Sequence, residues 1–255
     1  MFKILIIVPT KDSWLKLPSL INSLEDQTDY NFRVIFVDYN SCKKHYKYLK
    51  DICNANEKYS YVIQSENTGI FGAMNKGLNY VKDNEWVLFW GSDDFASSKN
   101  TISELRNCIN KKIYKDIDML IFKGYFFDHN SQKVSSKNHF SKIVDSKFNA
   151  EKYRNMLFKG FRQAHQATLI NPNKNLKNHR YKTSLLLASD LNFFLEATRY
   201  KKLKILSINI PLVNIGTQGI SRKKHFLRTF EVLNIYWKEF KIFFLIPFLL
   251  RYWRN

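Results

Sequence analysis

The sequence predicts an α/β fold in which helices flank a mostly parallel central sheet. Three observations carry this expectation. Strand-length apolar runs alternate with segments of helical period through the first half of the chain. Ile4–Val8 and Trp86–Trp90 are apolar throughout, as strands buried on both faces are. Pro9-Thr10, Asp38 and Asp93-Asp94 each follow such a run, where ligands bind in parallel sheets.

Taken in order, Lys3–Val8 forms the first strand and Pro9 ends its apolar run. Leu17, Leu20, Ile21 and Leu24 keep helical spacing, which predicts a helix over Trp14–Asp26. Phe32–Val37 is a strand ending at Asp38, followed by a helix near Lys43–Cys53 and a strand near Tyr61–Gln64. Ile70–Val81 suits a helix, Trp86–Trp90 a strand, Thr101–Ile109 a helix and Met119–Phe122 a strand. Lys, Ser and other polar residues dominate Tyr125–Phe148, which reads as a hairpin or mobile loop. Ala164–Ile170 is expected as a strand, Ser189–Tyr200 as a helix, and Leu203–Ile215 as a β-branched stretch interrupted by Pro211. The chain divides into a domain over residues 1–221 and a basic, aromatic, helical extension over 222–255.

At 255 residues and 45% apolar composition, the chain can bury one good core. Lys and Arg exceed Asp and Glu by 41 − 22 = 19, which points to an anionic partner: a phosphorylated substrate, an acidic membrane surface or nucleic acid. Scattered lysines without a zinc-finger or RNP-type motif argue against nucleic acid. Cys42, Cys53 and Cys108 lack metal-type spacing and read as reduced thiols of a cytosolic protein. The N-terminal apolar run is too short for a signal peptide and lacks a cleavage site. No stretch reaches the roughly 18 to 20 apolar residues of a membrane span.

Gly91-Ser92-Asp93-Asp94 is the sharpest local signal. Adjacent carboxylates repel unless a cation or hydrogen-bonding ligand relieves them; the alternative is a solvated turn capping the next helix. Asp38 either accepts hydrogen bonds from a base or ribose or caps a turn. Glycines 69, 72 and 77 surround the start of a helix whose N-terminus could face phosphate; the alternative is an ordinary loop-to-helix junction.

Glu66-Asn67-Thr68-Gly69-Ile70-Phe71-Gly72-Ala73-Met74-Asn75-Lys76-Gly77 and Glu85–Asp94 together resemble the family 2 glycosyltransferases, in particular the bacterial branch that builds colanic acid, capsule and O-antigen chains. Ile7-Val8-Pro9-Thr10 resembles that family's opening strand, and Val37-Asp38-Tyr39-Asn40-Ser41 its nucleotide-base motif. The resemblance implies a GT-A fold and inverting transfer from a nucleotide-diphosphate sugar, UDP being the commonest nucleotide. It implies that Asp38 contacts the base, that Asp93 lies near the ribose and that Asp94 holds Mn²⁺ or Mg²⁺. Pro9, Thr10, Glu66, Gly69 and Asn75 would belong to the donor site. His165-Gln166 resembles the acceptor-side segment, and Ala188–Phe194 the motif bearing the catalytic base, making Asp190 the candidate. Read from the residues alone, Asp190 is equally a helix cap and His165 a core histidine. Gly216–Ser221 resembles the Gly-Ile-Ser segment after the last core strand. Two positions depart from the branch: Gly72 replaces a usual acid, and Cys42-Lys43-Lys44 stands where an acid often follows Ser41. A catalytically inactive nucleotide-sugar-binding or membrane-associated scaffold is the second reading, opposed by the presence of Asp93, Asp94 and Asp190.

In the last 34 residues, aromatic residues from Tyr236 to Trp253 interleave with Lys238, Lys241, Arg251 and Arg254. That pattern suits an interfacial helix on an anionic bilayer, kinked at Pro247, or else a helix packed on the domain or a dimer partner. A polyprenyl-diphosphate-linked glycan acceptor at the inner face of the bacterial cytoplasmic membrane, as the resemblance implies, would give such a tail a purpose.

Overall fold

The computed structural model describes residues 3–111, 116–128, 131–135, 140–217 and 224–253. The expected Gly219-Ile220-Ser221 segment, the boundary at 221/222, and Arg222, Lys223 and Arg254 lie outside the described residues. Strands β1 (Lys3–Thr10), β2 (Phe32–Asp38), β3 (Tyr59–Ile63) and β4 (Glu85–Phe89) form a parallel sheet ordered β3-β2-β1-β4. Helices α1 (Leu17–Glu25), α2 (Lys43–Ala55) and α3 (Gly69–Leu78) connect them. Next come β5 (Phe95–Ala96), α4 (Thr101–Asn110), β6 (Met119–Asp128), β7 (Lys133–Val134), β8 (Ser146–Asn149) and α5 (Ala150–Phe158). The chain continues through β9 (Thr168–Ile170), α6 (Ser189–Ala197), β10 (Lys204–Gly216), α7 (His225–Phe240) and α8 (Leu245–Trp253).

Alternate residues of the central strands serve two cores. Leu5, Ile7, Ile35, Val37, Val87 and Phe89 face one cluster with α3 and α6. Ile4, Ile6, Val8, Val34, Phe36, Trp86 and Leu88 face the other with α1 and α4. Both faces are covered, so β1, β2 and β4 are apolar along their middles, with buried polar residues only at their ends (Thr10, Asp38, Glu85).

Beyond β4 the sheet is mixed. β9 runs antiparallel between β4 and β6, β10 is parallel to β6, and β5 and β8 pair antiparallel with β10. A ladder of three residues leaves no directional mark in an apolar pattern, so the reversal of β9 was not visible in the sequence. Helix α1 starts at Leu17 rather than Trp14: Ser13–Lys16 closes a turn, and Pro18 stands in the first helical turn, where it needs no N–H partner. β6 runs on to Asp128, and α5 was not anticipated at all.

Pro247 does not kink one long helix as expected. The break falls earlier, where Lys241 takes a positive φ of 53°, and Pro247 sits in the first turn of α8, a tolerated place. Nor is the C-terminal segment a free appendage. Glu231, Val232, Ile235 and Tyr236 of α7 are buried, and Phe240, Phe244, Phe248 and Tyr252 pack against the core. No helix among the described residues is long and apolar enough to cross a membrane.

Candidate active site

The parallel edge sets the first residues. β1 and β2 are in register with Thr10 opposite Asp38, and β4 lies on the other side of β1. Thr10 Oγ1 donates to Asp38 Oδ1 at 3.1 Å, and Ser41 Oγ to the same oxygen at 2.6 Å. Ser41 N–H donates to Oδ2 at 3.3 Å, and His45 Nε2 stands 3.0 Å from Oδ1. Burial is the largest influence on the Asp38 carboxyl and pushes its pKa up, but hydrogen bonds from His45, Ser41, Tyr46 and Thr10 outweigh it and hold the group below its ordinary value. The side chain has no exposed surface. The direct base contact expected of Asp38 is therefore not open in this conformation; the carboxylate instead gathers Thr10, Ser41 and His45 into one floor. Pro9, half-buried, pairs with Val37 beside it.

Asp12 stands beside the Ser41-Cys42 turn. Its backbone takes a positive φ of 49°. Its N–H donates to Ser41 Oγ, and its carboxylate accepts the Cys42 N–H at 2.8 Å. That N–H is the main cause of its lowered pKa. Negative charge beside the turn thus comes from the β1 loop.

The acidic turn follows β4. Asp94 is 1% exposed, and its two oxygens accept the N–H groups of Gly91 and, at 3.0 Å, Gly216. It clasps the end of β4 to the end of β10. Burial foremost, then the charge of Asp93, raises the Asp94 carboxyl to about 7 despite those two donors. Asp93, with a side chain 12% exposed, has Lys16 Nζ 4.0 Å away. Gly216 cannot be replaced lightly: a Cβ there would meet the Asp93 carboxyl carbon at 2.5 Å.

Three of the donor-loop expectations separate. Glu66 is exposed, and its carbonyl accepts Gln64 Nε2. Gly69 has φ +66° and open space around it at the start of α3, so glycine serves the backbone there. Asn75 is committed to the protein: Nδ2 donates to the Tyr181 carbonyl and Oδ1 accepts the Tyr181 N–H, both at 2.8 Å. Asn75 thus ties α3 to the backbone of residue 181. A Cβ on Gly72 would lie 1.8 Å from Thr68 Oγ1, so the acid usual at this position has no room.

The residues expected on the acceptor side gather around Tyr181, which the sequence did not single out. Tyr181 stacks on Phe71 and Phe193, meets Phe89 edge-on, and hydrogen-bonds His165 Nε2 through its hydroxyl. His165 stacks on Phe89 and is lowered to about 4 by burial, against the opposing charge of Asp190. Its Nε2 meets the Tyr181 hydroxyl inside the core. Gln166 contributes its carbonyl, which accepts the Trp90 indole N–H at 3.0 Å. Asp190, half-buried in the first turn of α6, accepts the neighbouring Leu191 N–H at 2.8 Å. Its charge raises the pKa of His165, Tyr181 and Tyr153, in each case less than burial shifts it.

One end of β4 thus links the two groups. The acidic turn extends from it, Phe89 carries His165, and Trp90 holds the 165–167 turn. Asp38 lies two strands away along the same edge. Among the described residues no three His, Cys, Asp or Glu side chains converge as a self-sufficient metal site. The donor set nevertheless fits Mn²⁺ or Mg²⁺: hard carboxylate oxygens on adjacent residues, one of them raised by burial and by its neighbour's charge, with diphosphate oxygens to complete the shell. An open groove of about 620 Å³ elsewhere, lined by Lys147, Phe148, Lys152 and Lys159 among others, contains none of these residues.

The fold, a central sheet flanked by helices with an acidic turn after β4, matches that of the GT-A glycosyltransferases. Residues 1–349 of S. aureus TarS superpose with a TM-score of 0.69 at 19% identity, covering 99% of this chain and 72% of that one. The same TarS segment is known in complex with UDP and with UDP-GlcNAc. The mannosyltransferase PcManGT from Pyrobaculum calidifontis, in complex with GDP-Man and Mn²⁺, gives 0.65 at 12% identity, over 97% of this chain and 69% of that one. GalNAc-T7 with UDP, GalNAc and Mn²⁺ gives 0.63 at 12% identity, over 85% of this chain and 44% of that one. At such identities the likeness is one of fold. The chain belongs to glycosyl transferase family 2, whose sequence model matches residues 5–170, and it is a glycosyltransferase. No curated protein matches its sequence. Asp190 and the C-terminal helices lie beyond the matched span.

Proposed function

We propose that the protein transfers one sugar, with inversion, from a nucleotide-diphosphate donor to a growing, lipid-linked bacterial surface glycan such as O-antigen, capsule or exopolysaccharide. The observation that supports this reading is the shared end of β4: the acidic turn leaves it, and Phe89 and Trp90 contact the His165-Gln166 segment. The Asp190 carboxylate takes the proton of the acceptor hydroxyl as its oxygen bonds to the anomeric carbon, while the bond from that carbon to the diphosphate breaks. Asp94, with Asp93 beside it, would hold Mn²⁺ or Mg²⁺, which supplies positive charge to the departing diphosphate. Thr10 and Ser41, oriented by Asp38, offer the polar wall against which the nucleotide lies. UDP is the favoured nucleotide, since TarS binds it in the same fold; PcManGT, with GDP-Man, keeps GDP in the comparison. Incubation with UDP-, GDP- and dTDP-sugars, Mn²⁺ and a polyprenyl-diphosphate-linked glycan, followed by NMR of the product, tests this. A product of opposite anomeric configuration to the donor is expected; retained configuration would contradict the single displacement.

The C-terminal helices supply a membrane-facing surface. Phe226, Phe230, Trp237, Ile242 and Phe243 are 91%, 65%, 51%, 78% and 57% exposed, with Lys224, Lys238 and Lys241 exposed among them. Bulky apolar side chains with lysine between them suit the headgroup region of an anionic bilayer, placing the enzyme at the inner face of the cytoplasmic membrane. Co-sedimentation with phosphatidylglycerol-containing vesicles is expected to fall sharply when salt is raised to about 0.5 M, which shortens the Debye length from about 10 Å at 0.1 M to roughly 4 Å, and to be lost in Phe226→Ser/Phe230→Ser/Trp237→Ser. Equal pelleting of wild type and triple variant would remove the tail from membrane binding.

A further inference from the structure

Three consecutive main-chain N–H groups converge on one carboxylate, that of Glu231 in α7. Leu186 N–H donates to Oε1 at 2.8 Å, and Leu187 and Ala188 donate to Oε2 at 2.9 Å each. Glu231 is only 7% exposed. A carboxylate so enclosed is tolerated when hydrogen bonds satisfy its charged form. Successive N–H groups in a turn make an anion-binding concavity; here the anion comes from the protein's own C-terminal helix.

The segment held in this way runs directly into α6. Ala188, at the N-cap position, has no side chain with which to cap the helix, and the Ser189 hydroxyl is spent accepting the Lys182 N–H. Asp190 follows immediately, its carboxylate turned onto the Leu191 N–H. The place of Asp190 therefore depends on what fixes residues 186–189, and Glu231 holds three of those four. A negative charge at a helix N-terminus is also favourable to the helix dipole.

The sequence of the tail supports the same reading. Glu231 and Glu239 are the two acidic residues between 222 and 255, and both turn inward. Glu239, with a side chain 6% exposed, pairs with Arg154 of α5 and with Arg199 just after α6. Both acids of an otherwise basic segment serve as anchors, one at the start of α6 and one beyond its end.

We infer that Glu231 is a positioning residue for transfer: it fixes the 186–188 backbone and thereby sets the Asp190 carboxylate against the acceptor hydroxyl. This rests on Asp190 being the base. A displacement near 1 Å at a reacting group costs about a hundredfold in rate, so the C-terminal helix acts on turnover without touching substrate.

The test compares Glu231→Gln, Glu231→Asp, Glu239→Gln, Asp190→Asn and the Glu231→Gln/Asp190→Asn double variant. The readouts are steady-state kinetics with the donor that supports transfer, titration with UDP and Mn²⁺, and amide exchange. Glu231→Gln is expected to lower kcat about ten- to a hundredfold, to leave donor KM and UDP affinity within about twofold, and to speed exchange at 186–188. Glu231→Asp, which keeps the charge, recovers part of the loss and carries the comparison if the glutamine variant does not fold. Glu239→Gln loosens the same helix elsewhere and leaves kcat within about twofold. In the Asp190→Asn background, Glu231→Gln adds no further loss. Unchanged kcat in Glu231→Gln, equal losses in Glu231→Gln and Glu239→Gln, or a multiplied loss in the double variant would each overturn the positioning role. An active Asp190→Asn overturns the base assignment itself, a result distinct from an active Glu231→Gln beside an inactive Asp190→Asn.

Discussion

Asp190→Asn is expected to abolish sugar transfer while leaving the donor bound. A carboxamide of the same size keeps the acceptor bond to the Leu191 N–H but has no lone pair basic enough to take the acceptor proton. General-base removal costs about 10²–10⁴-fold in rate. The loss falls on kcat, because the proposed role of Asp190 is proton transfer in the transition state, whereas donor binding is assigned to the acidic turn. Titration with UDP and Mn²⁺ should therefore give wild-type affinity. Wild-type turnover in the asparagine variant would remove Asp190 from the mechanism.

Asp94→Asn is expected to have the second large effect, on donor binding. Removing one carboxylate from an Asp93–Asp94 pair that holds a divalent cation should weaken metal-dependent UDP binding by about a hundredfold or more. The fold should also lose stability, because Asp94 clasps the ends of β4 and β10 through Gly91 and Gly216. An amide can present only one accepting oxygen to those two N–H groups.

A pH signature follows from the raised Asp94 carboxyl. Its folded value, about 7, lies above the ordinary 3.8. Without metal the folded state keeps the proton where the unfolded state has lost it. This group's contribution to stability therefore falls as pH rises from 3.8 toward about 7 and is constant above that. Metal binding must displace the same proton, so UDP–Mn²⁺ affinity should fall about tenfold per unit below the Asp94 pKa. In Asp94→Asn both dependences should flatten. An unchanged pH profile in that variant would assign the titration to another group.

Three strands of the parallel half, β1, β2 and β4, were legible because each is buried on both faces and carries an apolar run, closed by Pro9, Asp38 or Gly91. The antiparallel half was not. β5 has two residues and β9 three, too few to show a period. α5 left a readable mark that was overlooked: Asn149 caps the Lys152 N–H, and Ala150, Tyr153 and Leu157 keep helical spacing.

The site divides on the same principle. Residue type and strand-end position pointed to Asp38, Asp93 and Asp94, yet neither showed that Asp38 would be enclosed by Thr10, Ser41 and His45. Asn75 read as a donor contact because its partner, Tyr181, lies 106 residues away. Tyr181, between Arg180 and Lys182 in an aperiodic stretch, gave no signal of its own. Glu231 left a faint one, as an acid in a basic tail, but its partners stand 43 to 45 residues upstream. Local pattern names the residues that chemistry requires; it does not reveal which of them the fold has already committed.

The central claim is that the edge carrying Asp93 and Asp94 is a metal-dependent nucleotide-sugar site. Thermal unfolding of the wild-type protein with UDP-, GDP- and dTDP-sugars, each with and without Mn²⁺, tests it most directly. At a concentration of about 100 Kd, a bound donor adds about 2.7 kcal/mol of stability. At least one donor should raise the unfolding temperature by several degrees only when Mn²⁺ is present. No shift with any donor, or the same shift with and without metal, would contradict the account.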